Sequence, residues 1–217
     1  EKDLFDCEYW ALEQANLGKG APPKFQGKVV MITGGSGSIG FAIAEAFSKL
    51  GAQTILVDKD EIALKESVTK LGVGHKYFPI DVTHSDAANQ ALLAAIINFG
   101  GLDILISNAG AAHAGPMLDI SNEKLRNAFE LNFFSHYSFS TEAAKILKDQ
   151  NRGGQILFNI SKQAVNPGKN FGAYGLPKAT TFFLMRQLAL ELGSDGIRVN
   201  GINADRNRSG LLTEEFI

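Results

Sequence analysis

Two groups of residues in this sequence have types and spacings that could do chemistry. The first is Tyr174 with Lys178. Four positions apart in a stretch patterned as a helix, they share one face and can converge on a single ligand. A tyrosine hydroxyl near pKa ~10 is a poor base at neutral pH. An ammonium group and an oxidised nicotinamide nearby would both favour the phenolate and bring that value toward a working range. Pro177 stands between the two and is tolerated only near the beginning of a helix, which predicts that both lie close to the first turn. The second group is Thr33-Gly34-Gly35-Ser36-Gly37-Ser38-Ile39-Gly40, directly after the apolar run Lys28 to Ile32 and directly before a helical run, Phe41 to Leu50. Strand, glycine turn and helix in that order form a site for a dinucleotide pyrophosphate. The glycines let the backbone bend and approach the phosphates, whose charge meets free amides at the helix N-terminus. Gly34, Gly37, Ser38, Ile39 and Gly40 are the candidate phosphate contacts.

Other polar residues gain meaning from the elements that must carry them. Apolar runs near residues 28–33, 54–58, 76–80, 102–107, 155–160 and 197–203 alternate with helical stretches. That alternation predicts an α/β fold: a Rossmann-like, doubly wound parallel sheet in three layers, with right-handed crossovers and its ligand site at the carboxyl ends of the strands. Asp58 ends the second run, where a carboxylate can hold the adenosine ribose hydroxyls. Asp81-Val82 follows the third run, Asn108-Ala109-Gly110 the fourth, and Ser161 the fifth. Four polar residues noticed separately thus fall at one crevice.

With these motifs assembled, the sequence from Lys28 to Asn203 resembles the short-chain dehydrogenase/reductase family. The marks are the TG-rich turn, the Asn108-Ala109-Gly110 segment, Tyr174-x-x-x-Lys178, Ser161 thirteen residues ahead of that tyrosine, Asn132 in the intervening helix, and Ile197-Arg198-Val199-Asn200. The resemblance implies that Tyr174 is the acid/base and that Lys178 tunes it and holds a ribose. It further implies that Ser161 bonds the substrate oxygen and that Asn132 orders a water beside Lys178. Singly, each has a plainer reading: a core or interface aromatic, a turn cap, an amide bonded to neighbouring backbone. Two departures stand out. Short members of the family usually carry glycine where Ser38 stands, and the glycine spacing here is similar to that of the extended, sugar-nucleotide members; the serine either crowds the pyrophosphate or donates a hydrogen bond to it. Asn203-Ala204-Asp205-Arg206 replaces the family's Pro-Gly turn.

Composition bounds the partners. The chain has 217 residues, 45% of them hydrophobic, enough for one domain with a substantial core. A net charge of −2 without a lysine or arginine block argues against nucleic acid or a membrane surface and for a small-molecule substrate. No run approaches a membrane span, and the single cysteine, Cys7, rules out an intrachain disulfide and suits a reducing, cytoplasmic setting. Cys7 lies ahead of the first strand, so aldehyde oxidation through a protein thioester is not expected. His75, His84, His113 and His136 lack a shared ligand spacing, which predicts surface or core roles and no metal. His113, just after the Asn108 turn, is a weaker candidate for substrate contact.

Residues 1–25 read as an arm and residues 26–217 as the NAD(P)-binding dehydrogenase domain, C-terminally truncated relative to the family. In the arm, Leu4, Phe5, Tyr9, Trp10, Leu12 and Ala15 have helical spacing. They fit either a docked terminal helix or an interdomain connector. Phe5 to Ala15 resembles the connector in bifunctional proteins that fuse a class II aldolase to a short-chain dehydrogenase, of the rhamnulose-1-phosphate aldolase/lactaldehyde dehydrogenase type. That resemblance implies an aldolase domain upstream and an NAD-dependent oxidation of lactaldehyde, or another small hydroxy-aldehyde or alcohol, in deoxysugar catabolism. Asp58 disfavours the 2′-phosphate of NADP, while the adjacent Lys59 leaves an opening for an NADPH-dependent carbonyl reductase or a sugar-nucleotide enzyme. A non-catalytic NAD-sensing module is the alternative outside enzymes, and it would have no use for Tyr174 and Lys178 together. Apolar residues on more than one face of the helices expected over Asn122 to Lys148 and Tyr174 to Leu192 predict a homo-oligomer.

Overall fold

The apolar runs become strands of one sheet in a computed structural model that describes residues 22–205. Their order in the chain is β1 (Val29–Thr33), α1 (Ser38–Lys49), β2 (Gln53–Asp58), α2 (Glu61–Leu71), β3 (Lys76–Pro79), α3 (Ala87–Phe99), β4 (Ile104–Ser107), α4 (Asn122–Phe129), α5 (Ser135–Gln150), β5 (Gly154–Asn159), α6 (Gly172–Leu192) and β6 (Ile197–Ile202). All strand pairs are parallel, in the order β3-β2-β1-β4-β5-β6. Successive crossovers leave β1 in opposite directions, so a crevice opens between β1 and β4 at their carboxyl ends. Most of the arm, residues 1–21, lies outside the described residues, as do residues 206–217.

Side chains alternate between the two faces of the sheet, and each face has its own core. Met31, Ile55, Val57, Leu105, Ile156 and Phe158 pack with α3, α5 and α6. Val30, Ile32, Leu56, Ile104 and Ile106 pack with α1 and α2, through Ala44 and Leu64. This is the three-layer arrangement expected, and burial on both sides explains why β1 reads as an unbroken apolar run. Each buried Leu or Ile contributes roughly 1.5–3 kcal/mol, so truncating the fully buried Leu105 to alanine should cost about 2–5 kcal/mol. The β5–β6 edge is covered differently. Ile197 and Val199 are buried beneath α5 and α6, whereas Arg198 and Asn200 on the opposite face are exposed among the described residues.

One expectation is corrected. The helix over Asn122 to Lys148 is interrupted by a π-helical turn, Glu130–Phe134, separating α4 from α5. A π turn inserts an extra residue without disturbing the apolar spacing enough to show in the sequence, and such turns recur at functional sites. Tyr174 and Lys178 do lie close to the first turn of their helix: α6 begins at Gly172, with Pro177 in the second turn, where it leaves the Ala173 carbonyl without its usual amide donor. No helix among the described residues is long and apolar enough to cross a membrane.

Candidate active site

At the crevice lies a cavity of about 490 Å³. Its phosphate end is built from backbone. Gly34 has φ +64°, a left-handed conformation that favours glycine, and a Cβ there would come within 2.9 Å of the Ala109 Cα. Gly40, the third residue of α1, is needed for close packing instead. A Cβ there would meet the Gly34 carbonyl oxygen at 2.1 Å, so only glycine lets the helix seat this closely on the turn. Ser38 opens α1 and is exposed to the cavity with Gly37 and Ile39. The first amides of this helix have no carbonyl one turn behind them and form an anion site.

The floor of the cavity is fixed by side chains that bond to backbone. The buried Thr33 hydroxyl, at the end of β1, accepts hydrogen bonds from the amides of Asn108 at 2.9 Å and Ala109 at 3.1 Å. Asn108 in turn donates to the Thr33 carbonyl at 3.0 Å and accepts from the Asn159 side chain at 2.9 Å, tying β1, β4 and β5 together. Asp58 ends β2, where its carboxylate accepts from the amides of Ser36 at 3.3 Å and Lys59 at 2.8 Å. Asp81 accepts from both the amide and the hydroxyl of Thr83; the amide bond, reinforced by the hydroxyl and by nearby cations, holds its carboxyl below the usual range.

The opposite wall carries the titratable groups. Tyr174 and Lys178 occupy successive turns of α6 and both line the cavity, with the Lys178 ammonium 5.8 Å from the Tyr174 ring centre. Burial pushes the Tyr174 hydroxyl above its ordinary value, and a hydrogen bond with Ser161 works against that rise. Ser161, just beyond β5, also accepts from the Gln163 amide at 3.3 Å, which fixes its rotamer. Lys178 is only 3% exposed, and burial lowers its pKa to about 7. Its Nζ donates to the Asn159 carbonyl at 2.8 Å and lies 3.3 Å from Nε2 of His136, a buried residue of α5.

Asn132 sits in the π turn, wholly buried behind Gly110. Its amide donates to the carbonyls of Ala111 at 3.0 Å and Ala128 at 3.1 Å, and its oxygen accepts from the Ala111 amide at 3.3 Å. Its main-chain carbonyl accepts from the Thr181 hydroxyl at 2.7 Å. Gly110 is required at this point, since a Cβ would lie 2.8 Å from the Asn132 side-chain oxygen.

Thus the candidate cofactor residues Gly34, Gly37, Ser38, Ile39, Gly40, Asp58, Asp81, Val82, Asn108, Ala109, Gly110, Tyr174 and Lys178 all line the one cavity, while Asn132 and Ser161 stand just behind its surface. Lys59, Ile80, Thr83, Ala111, Leu131 and Asn159 line it too. Most of these adjoin residues singled out in the sequence, but Thr33 and His136 act from beneath. His136 could have been noticed from its spacing of four from Asn132. His113 lines a separate cavity of about 280 Å³ with Lys124 and Asn127. The segment replacing the family's Pro-Gly turn is tied to the residue after Ser161: the Lys162 amide donates to the Ala204 carbonyl at 2.8 Å, and its ammonium pairs with Asp205 at 3.2 Å. Among the described residues, no group of three or more His, Cys, Asp or Glu is arranged to hold a metal ion.

Comparison with known proteins agrees with this geometry. Residues 28–214 match the family described as short chain dehydrogenase. The chain is 34% identical over 212 residues to an uncharacterized oxidoreductase, YuxG, of Bacillus subtilis (strain 168), covering 94% of this chain but only 31% of that protein. It thus spans less than a third of that relative's length. It is 34% identical over 182 residues to the 7alpha-hydroxysteroid dehydrogenase of Escherichia coli (strain K12), covering 82% of this chain and 71% of that one. Among solved structures it is similar to the 3-ketoacyl-(acyl-carrier-protein) reductase of Brucella melitensis complexed with NADH, with a TM-score of 0.85, 26% identity, and coverage of 89% of this chain and 82% of that one.

Proposed function

The chain belongs to the short-chain dehydrogenase family, and on that premise we propose that it is an NAD-dependent oxidoreductase acting on a small hydroxy-aldehyde or alcohol. The observation that carries this reading is the convergence of Tyr174 and Lys178 with the glycine turn and Asp58 on one cavity. The residues present fit a nicotinamide dinucleotide. The close seating of Gly40 on Gly34 leaves room for a pyrophosphate at the start of α1, Asp58 is placed for the adenosine ribose, and Lys178 for the second ribose. When bound, the nicotinamide supplies the hydride acceptor or donor. Tyr174 takes the proton from the substrate hydroxyl, Ser161 orients the same oxygen, and the Lys178 ammonium makes the phenolate accessible by its charge.

The preference for NAD rests on Asp58, whose charge opposes a 2′-phosphate. A second reading, an NADPH-dependent carbonyl reductase, is favoured by Lys59, which lines the cavity beside it. Lactaldehyde, in deoxysugar catabolism, is the substrate we favour, with an aldolase domain fused upstream. Its support is the composition of the stretch from Phe5 to Ala15, and a relative of which more than two thirds lies outside the match. Exposed Phe134 and Tyr137 around the start of α5, with Phe183 and Leu190 on α6, support a homo-oligomer, which light scattering would measure. The low net charge supports small molecules, not nucleic acid or membrane, as partners, in keeping with a cytoplasmic enzyme.

The test is a substrate panel on the full-length gene product, with NAD and NADP compared and lactaldehyde included. Tyr174→Phe should bind NAD normally and lose roughly 10²–10⁴-fold in turnover. Near-native turnover by that variant would overturn the assignment.

A further inference from the structure

His136 has a place that neither the glycine turn nor the tyrosine–lysine pair requires. Its ring is 1% exposed and bridges two groups: Nδ1 lies 2.6 Å from the Ser107 hydroxyl at the end of β4, and Nε2 lies 3.3 Å from Lys178 Nζ on α6. The Phe158 ring of β5 packs at 6.1 Å, closing the remaining side. Among the described residues no carboxylate pairs with Lys178. Its hydrogen-bonding neighbours are the Asn159 carbonyl and this imidazole. The main-chain carbonyl of Asn132, in the π turn, takes a hydrogen bond from Thr181.

We propose that His136 is a positioning residue for Lys178: a neutral imidazole that accepts a hydrogen bond from the lysine ammonium at Nε2, carries its own hydrogen on Nδ1 toward Ser107, and so keeps Lys178 charged and aimed at Tyr174. This rests on the reading of Tyr174 and Lys178 as the proton-handling pair. An ammonium offers three donors and no acceptor, so a histidine facing it must present a lone pair, and a lone pair on Nε2 in the neutral ring places the hydrogen on Nδ1. A carboxylate in place of His136 would hold the ammonium more firmly but would bury a second charge, whereas a neutral acceptor supports the cation at a smaller desolvation cost. The surroundings keep the ring neutral. Burial lowers the His136 pKa well below its ordinary value, the Lys178 charge lowers it further, and a bond with the Ala109 backbone opposes both. Tyr174 on α6, its ring centre 5.8 Å from Nζ, is the other titratable group near Lys178.

The role is specific because an apolar residue of the same bulk would fill the space and leave one ammonium hydrogen without a partner. Hydrogen bonds to charged groups contribute about 1.5–3 kcal/mol, and one pKa unit corresponds to about 1.4 kcal/mol. Loss of the acceptor should therefore make Lys178 bind its proton about tenfold more weakly. With less positive charge beside it, Tyr174 would become harder to ionise during turnover, although nothing that touches the substrate has changed.

Nuclear magnetic resonance of the cofactor-free protein tests this without any substrate. Imidazole ¹⁵N shifts should show His136 as the neutral ring with its hydrogen on Nδ1 at about pH 6, below the Lys178 midpoint. Its Nε2 signal should move in Lys178→Met. The ¹³Cε shift of Lys178 should titrate about one unit lower in His136→Leu, with much of the loss recovered in His136→Gln, whose carboxamide oxygen can accept. An Nε2-protonated ring at that pH, a ring titrating near the ordinary histidine value, or a Lys178 midpoint unmoved in His136→Leu would each overturn the proposal. Should the leucine variant not fold, the tautomer in the unsubstituted protein decides alone. Turnover retained in Tyr174→Phe would sink the catalytic reading instead and leave these spectra as they are.

Discussion

On the side of β1, β2 and β3 the cavity is lined by the glycine turn and by residues at strand ends such as Asp58 and Asp81. The turn from Gly34 to Gly40, the first amides of α1 and the Thr33–Asn108 crosslink come from contiguous segments or strand ends. Across the crevice, on the side of β4, β5 and α6, side chains from distant parts of the chain come together: Tyr174 and Lys178 line the cavity, with Ser161 and His136 behind them. Each half also holds a histidine, partly buried in the first and fully buried in the second. His75 in the first is bonded to neutral partners, Thr54 and Ser48, whereas His136 in the second faces an amine. The first half has only to present donors of fixed geometry to a ligand, and backbone does that with little side-chain entropy to lose. On the function proposed above, the second half holds the groups that exchange a proton, and its buried Lys178 bears a desolvation cost.

Lys178→Met tests that cost most directly and should have the largest effect. Turnover should fall by roughly 10²-fold or more, because the phenolate loses its cation. Stability of the cofactor-free protein should move the other way. The folded pKa of Lys178, about 7, lies below its ordinary 10.5. As pH falls through that window, the unfolded chain takes up a proton that the folded chain resists, and the folded state loses stability. At about pH 8 most of this penalty is present, so methionine should raise stability by about 1–3 kcal/mol after allowing for the unpaired Asn159 carbonyl. Above the ordinary lysine value the gain should vanish. Chemical denaturation at both pH values measures it, and a destabilised variant at pH 8 would mean that this wall holds its lysine at no cost.

The glycine turn should respond in the opposite sense. Gly40→Ala drives a Cβ into the Gly34 carbonyl, where it would sit at 2.1 Å, and since backbone cannot rotate away the expected loss is about 1–3 kcal/mol together with weaker dinucleotide binding. Gly37→Ala is the contrast. Its Cβ would meet the Gly34 oxygen at 3.4 Å, an ordinary contact, so thermal stability should hold while NAD affinity, by calorimetry, falls. Equal losses of stability in both variants would show that the turn is not divided between a packing glycine and a ligand-facing one.

The same division decides what the sequence displays. Six strands, their parallel pairing and thirteen cavity-lining residues can be read from it, because apolar runs, glycine turns and strand-end polar residues are local signals. The π turn at Asn132 cannot be read, since one extra residue leaves Phe133, Phe134 and Tyr137 looking like a continuous helix face. Nor can the partner of His136, which lies 42 residues away across a helix packing that no local pattern encodes.

A smaller effect belongs to Asp58. The carboxylate is anchored by the Ser36 and Lys59 amides, so it lines the cavity in a fixed geometry. Asp58→Ala should narrow the preference for NAD over NADP by about tenfold, roughly 1.4 kcal/mol, with Lys59 left to attract the 2′-phosphate. Equal affinity of the unsubstituted protein for both cofactors would remove the electrostatic part of the contrast between the two walls.

The smallest expected effect lies in the partly buried histidine, His75. Nδ1 of His75 accepts from the Thr54 amide at 3.1 Å, so any ring hydrogen in the neutral form sits on Nε2, 3.0 Å from the Ser48 hydroxyl. Protonating Nδ1 would set one hydrogen against another, and burial already lowers the pKa from the ordinary 6.5. For a base whose folded value is depressed, stability is full above the unfolded value and declines as pH falls below it, because only the unfolded chain gains the proton. Thermal denaturation between about pH 7.5 and pH 5 should therefore show an acid loss that shrinks in His75→Asn, by about 1 kcal/mol or less. His136 contributes with the same sign, so part of the loss should remain. If His75 serves only the scaffold, His75→Asn should leave NAD affinity unchanged at neutral pH. A clear fall in that affinity would break the comparison by making the first half as dependent on a titratable side chain as the second.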